Sequence, residues 1–245
     1  MIDKSGFDKA RLKVLGETYE NSGIGTYSEK TLHRILKLYF EENEDFHEVK
    51  FLGSIADIKN EERIYEIQTR AFGRLVPKLE KFLKQTPVTV VYPLPYEKYI
   101  RWIDKETGEI SERKKSPKKS GVFDAFYELY NIREFLNNEN LTVKLVFLNV
   151  DEFRYRGGKV IGRERKSVRA ERIPISIEKI VDLSKKDDYK IFIPENLKTP
   201  FTASSFNQTI GKRFKYGYSG IQILKSVGIV TEGEKIGRKT VYNLK

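Results

Sequence analysis

The 245-residue chain has no cysteine and only two histidines. The missing thiols exclude disulfides, cysteine nucleophiles and thiolate zinc sites, and two histidines cannot build a multi-histidine metal centre. A long apolar run is lacking, as is a signal peptide with a cleavage site, so a cytoplasmic protein without a membrane partner is expected. There is no Walker-type glycine loop, no dinucleotide fingerprint and no internal repeat. A metal site in this chain has to be built from carboxylates.

What is abundant is charge. Hydrophobic residues make up 39% and charged residues 33%, a balance compatible with a packed core. The length suits one large domain, or a core with a smaller appendage. The net charge of +11 points to a polyanionic partner, and the charge is clustered. Residues 198–245 hold nine Lys/Arg against two Glu. A second cluster comprises Arg113, Lys114, Lys115, Lys118 and Lys119. A third contains Arg154, Arg156, Lys159, Arg163, Arg165, Lys166, Arg169 and Arg172, and its Gly157-Gly158 pair reads as a mobile loop. Such clusters neutralise phosphates without sequence preference. Each alone is equally compatible with a solvated loop; three on one chain favour nucleic acid.

Two short stretches, Ile55-Ala56-Asp57 and Tyr65 to Arg70, alternate apolar and polar residues and flank the polar run Lys59 to Arg63. They read as a β-hairpin. An even-length turn, such as Asn60 to Arg63, places Asp57 on the face of Glu66 and Gln68; an odd one separates them. On one face, the two carboxylates suit a divalent cation. The bland alternative is the solvated face of an edge hairpin.

The rest reads as an α/β protein, a mixed sheet flanked by helices. A helix capped by Ser28 runs to about Glu42 with Leu32, Ile35, Leu36 and Tyr39 inward, and Glu29 lies in its first turn. A helix from about Gly73 to Lys84 carries Pro77 early and leaves Lys78 and Lys81 exposed. Val88 to Tyr92 reads as a strand buried on both faces, and strand-helix-strand order implies a parallel crossover. A helix from about Val122 to Leu136, a hairpin turning at Asp104 to Gly108 and a strand at Val143 to Leu148 complete the core. The expected division is an extension at 1–25, a core at 26–155, a basic loop and linker at 156–197, and an appendage at 198–245.

A helix bearing Glu29, a strand ending in Asp57, a strand carrying Glu66-x-Gln68, a helix and a central strand together resemble the PD-(D/E)XK nuclease superfamily, over roughly residues 26–95. The resemblance implies a restriction-endonuclease-like fold with Asp57 and Glu66 as ligands of Mg2+ or Mn2+. It implies that Gln68, where most members have lysine, orients the attacking water, that Glu29 matches a first-helix glutamate found in part of the family, and that Arg70 approaches the phosphate backbone. Ala56 stands where the family has its proline. Glutamine can hydrogen-bond but cannot deprotonate water as lysine can.

In the appendage, Thr202 caps a helix to about Ile210, and a connection through Lys212, Arg213 and Lys215 leads to a helix from Ser219 to Val227. A hairpin follows, with Arg238 and Lys239 at its tip. This order resembles a winged-helix module, in which Tyr216, Tyr218, Gln222 and Lys225 would face the DNA groove and Arg238 and Lys239 a phosphate. The alternative is a subdomain that packs on the core or on a protein partner.

The expectation is a magnesium-dependent deoxyribonuclease-like protein of DNA repair, recombination or defence; nucleases that cut both strands are often homodimers. The alternative is a catalytically inactive nuclease fold that binds DNA through its winged helix.

Overall fold

The computed structural model describes residues 2–21, 28–156, 159–160, 163–164, 167–211 and 216–245, leaving out the side chains of 18–30 and 157–166. The chain opens with two helices, α1 (Lys4–Asn21) and α2 (Ser28–Phe40). Next come strands β1 (His47–Phe51), β2 (Ser54–Lys59) and β3 (Ile64–Ile67), helix α3 (Val76–Phe82) and the long strand β4 (Val88–Ile103). A short β5 (Lys114–Lys115), helix α4 (Phe126–Tyr130) and strand β6 (Leu141–Arg156) follow. Two-residue strands β7 (Lys159–Val160) and β8 (Arg163–Glu164) pair with each other, and β9 (Ser167–Leu183) completes this part. The last segment holds β10 (Phe201–Thr202), α5 (Ala203–Ile210), α6 (Gly217–Ser226), β11 (Val230–Ile236) and β12 (Lys239–Leu244).

Among the described residues the main sheet has seven strands in the order β1-β2-β3-β4-β6-β9, with β5 beside β4. It is mixed: β2 and β3 are antiparallel, whereas β3 and β4 are parallel, as the intervening helix requires. The fold class is therefore α/β. By Cα proximity the chain forms two compact units. One comprises residues 1–47, 93–120 and 146–180; the other comprises 48–92, 121–145 and 181–245.

In the first unit α1 and α2 meet through Phe7 and Tyr39, whose rings lie edge to face at 5.6 Å. The inward stripe of α2 is as the periodicity predicts, with Leu32, Ile35 and Leu36 buried. Beneath it, the Thr31 hydroxyl donates to buried Glu171 at 2.7 Å, so this carboxylate is not left bare.

The second unit is built on the β-branched run Val88 to Val91, which is fully buried on both faces as expected. Ile64 and Ile67 pair with Val88 and Val91 on the neighbouring strand, and Leu79, Phe82, Val143 and Leu145 are buried in the same unit. In the last segment β10, β12 and β11 form a three-stranded sheet, and the Thr202 hydroxyl caps α5 by accepting the Ser205 N–H.

Four expectations change. The helix placed at Val122 to Leu136 is three short pieces, two of them 3₁₀, because Asn131 and Ile132 interrupt it. The helix from Gly73 splits into a 3₁₀ turn, Phe72–Leu75, and α3, with Pro77 in its first turn. β4 runs far past Tyr92. The basic stretch from Arg154 to Arg172, read as a mobile loop, is largely strand at its ends, in β6 and β9. Its charge density hides the period-2 alternation on which a strand reading depends. The flexible glycine connection expected at Gly23 and Gly25, and the pair Gly157-Gly158, lie outside the described residues.

Candidate functional site

The turn between β2 and β3 is the four-residue one. Asn60 folds it: its N–H donates to the Arg63 carbonyl at 3.2 Å, and its side-chain oxygen accepts the Glu62 and Arg63 N–H groups at 3.1 and 3.0 Å. The register pairs Ile58 with Tyr65 and Lys59 with Ile64. Carried one step beyond the paired residues, this register sets Asp57 against Glu66 on one face, and the Asp57 charge is felt at Glu66.

Their environments differ. Asp57 is half-buried and its Oδ2 accepts the Ile67 N–H at 2.7 Å. Glu66 is only 2% exposed. Both its oxygens accept from the Lys78 ammonium, Oε1 at 3.0 Å and Oε2 at 2.7 Å. Burial, and next the charge of Asp57, push the Glu66 carboxyl up to about 7, against the opposing pull of Lys78. One ammonium therefore does not balance the two carboxylates.

Lys78 is the residue that the sequence reading missed. Expected at the surface, it is 27% exposed at its side chain and turned onto Glu66. It lies in the first turn of α3, just after the short crossover from β3, and that brevity was the one signal available. The neighbouring Lys81 has the same sequence context, so composition alone does not separate them.

The other expected site residues are more dispersed. The Gln68 side chain donates to the Arg70 carbonyl at 2.5 Å, and its backbone N–H donates to Val91, so its amide is engaged away from the carboxylates. Arg70 is exposed and precedes Ala71, whose φ of 59° lies in the left-handed region. Glu29 falls within α2, but its side chain is outside the described residues, as are Lys212, Arg213 and Lys215 altogether.

The second basic cluster is substantially paired. Arg113 donates to Asp151 at 2.7 Å and lies 3.7 Å from the Tyr99 ring centroid. Lys115 and Lys119 both pair with Glu97, at 2.8 and 2.6 Å, while Lys114 and Lys118 are exposed. In the last segment Gln222 is half-buried on α6, Lys225 pairs with Glu232, and Arg238 and Lys239 are exposed at the β11–β12 turn. Tyr216 and Tyr218, at the start of α6, are exposed too.

Among the described residues no group of three or more His, Asp or Glu side chains gathers as a metal cage. The donor set at the hairpin is two carboxylates with a deficit of positive charge. That set fits magnesium, which uses one or two protein carboxylates and keeps several waters. No helix of the described residues is long and apolar enough to cross a membrane.

No solved structure matches the chain. A protein of Treponema pallidum (strain Nichols), described as an uncharacterized protein, is 29% identical over 221 residues, covering 89% of this chain and 86% of its own length. A family profile described as "Domain of unknown function (DUF8091)" matches residues 30–184, a span that holds Asp57, Glu66 and Lys78. Because that span is more than half of the chain, the protein belongs to this family.

Proposed function

We propose that this protein is a divalent-metal-dependent, nuclease-like DNA-binding protein that hydrolyses phosphodiester bonds, with a restriction-endonuclease-like hairpin and crossover and a winged-helix-like reader at residues 198–245. The observation that carries the reading is the facing pair Asp57 and Glu66 with the Lys78 ammonium against it. Those are the three side-chain types of the PD-(D/E)XK site, with the lysine arriving from the helix rather than from position 68.

Asp57 and Glu66 would hold the metal. When bound, a divalent ion neutralises phosphate charge and makes its water a better nucleophile. The chain's own groups have distinct tasks. Glu66, buried beside the Asp57 charge, would offer its carboxylate oxygens to the cation and be held ionised by it. Lys78 offers a cation to the anionic phosphate once Glu66 has another counter-charge. The Ile67 N–H fixes the Asp57 carboxylate so that it meets its ligand without reorganising.

The test is cleavage of duplex and single-stranded DNA in Mg2+ or Mn2+. Wild type should cut; Asp57→Asn and Glu66→Gln should each lose about a hundredfold or more. Undiminished cutting by both variants would refute the assigned site.

A second reading is favoured by the depth of Glu66 and by the engaged Gln68 amide. In it the hairpin is a closed ion-pair scaffold, and the protein binds DNA without cutting it. Absence of cleavage with retained DNA binding selects it.

A further inference from the structure

A different carboxylate, in the first unit, gathers more cations than it needs. Glu152 on β6 is 1% exposed. Its Oε1 accepts from Lys98 Nζ at 3.4 Å and from Arg154 Nη1 at 2.5 Å; its Oε2 accepts from Arg172 Nε at 3.3 Å and Nη2 at 2.7 Å. A carboxylate offers about four lone-pair sites, so these four donors saturate it. One cation would neutralise it. Three are present, with side chains 18%, 23% and 20% exposed for Lys98, Arg154 and Arg172.

Crowding like charges in a half-buried place costs electrostatic free energy, and the cluster keeps two positive charges in surplus. The groups feel one another: burial lowers the Lys98 pKa, and Arg172 and Arg154 lower it further against the pull of Glu152. The arrangement is also held rigid. Arg154 donates through Nε and Nη2 to the Ser167 hydroxyl, at 3.2 and 2.7 Å, which fixes the guanidinium plane. A rigid, partly desolvated surplus of positive charge is what an anion site requires.

The same strands carry an aromatic partner. By strand alternation Trp102, four residues beyond Lys98 on β4, shares its face, and Arg156 shares the face of Arg154. The Arg156 guanidinium lies 5.6 Å from the Trp102 ring. Both line an open cavity of about 390 Å³ with Ile103, Lys105 and Ser111. Three acids in its lining, Asp104, Glu106 and Glu109, repel phosphate there and so assign this cavity to a base rather than to the backbone.

We infer that Lys98, Arg154 and Arg172, organised by Glu152, form a phosphate cradle for a single-stranded polynucleotide, one of whose bases stacks at Trp102 and Arg156. The inference rests on the nucleic-acid part of the proposed function and not on cleavage, since none of these residues belongs to the Asp57–Glu66 hairpin. Stacking on an aromatic ring is tolerant of sequence, so the strand is held by its chemistry rather than by its base order.

The experiment uses the full chain in chelator, so that cutting plays no part. Labelled oligothymidylate is titrated by anisotropy at several salt concentrations, while emission of Trp102, the single tryptophan, reports stacking. Wild type should bind saturably with a change in emission. Lys98→Gln should weaken binding several-fold and reduce the slope of log affinity on log salt by about 0.7, the value for one neutralised phosphate on a single strand. Trp102→Leu should weaken it about tenfold. A thermal melt of each variant separates lost binding from lost fold, and Arg172→Lys, which keeps the charge, serves if Arg172→Gln does not fold. Folded Lys98→Gln with unchanged affinity and slope would overturn the cradle. Inorganic phosphate that competes as well as the oligomer would overturn the polynucleotide in favour of a free phosphorylated molecule. Oligothymidylate bound without any cleavage of DNA in Mg2+ upholds this inference while removing the nuclease reading.

Discussion

Glu66 sets a pH dependence whose sign follows from its surroundings. Burial and the Asp57 charge raise its carboxyl from the ordinary 4.5 to about 7, so the folded chain holds that proton more tightly than the unfolded one. The resulting stabilisation is complete below pH 4.5 and is lost as the pH climbs through 7; it is on the order of 3 kcal/mol. Glu66→Gln cannot titrate, so its unfolding free energy in urea should decline less between about pH 5 and 8 than that of wild type. Lys78→Met should move the other way, raising the pH at which Glu66 titrates in a carboxyl-carbon NMR titration, because Lys78 is what holds it down. The acidic pair was legible in the sequence because strand parity and an even turn are local properties of residues 57–66. Lys78 was not, since its direction is decided by where α3 crosses β3 and β4, a tertiary matter invisible to periodicity. For the same reason Glu152 drew no notice: its three cations lie on three separate strands.

At the level of elements, α6 seats its buried side on α4. Gly220 is there because no Cβ fits: one would come within 2.5 Å of the Phe126 ring, which is itself fully buried. Gly220→Ala should therefore cost about 1–3 kcal/mol in a denaturant midpoint. Elements defined by burial pattern, such as α2 and the first part of β4, were readable as written. The long strands β6 and β9 were not, since charged residues at alternate positions look like a loop until a partner strand is known.

For the molecule as a whole, the formal net charge of +11 overstates what is free to meet a polyanion. Arg113, Lys115 and Lys119 are already paired with Asp151 and Glu97, whereas Arg238 and Lys239 stand exposed at a turn. The proposed binding to duplex DNA should accordingly depend on salt through the second group more than the first. Replacing Arg238 and Lys239 by glutamine should lower the slope of log affinity against log salt by about 0.9 for each phosphate no longer neutralised. Changing Lys115 and Lys119, which share the one carboxylate of Glu97, should lower that slope by less.

The two compact units are each assembled from three separated stretches of chain. During synthesis, therefore, neither can close when its first stretch emerges: residues 1–47 must wait for 146–180, and residues 48–92 for 181–245. The first unit has all its stretches once residue 180 is made, whereas the second is completed only by the last segment.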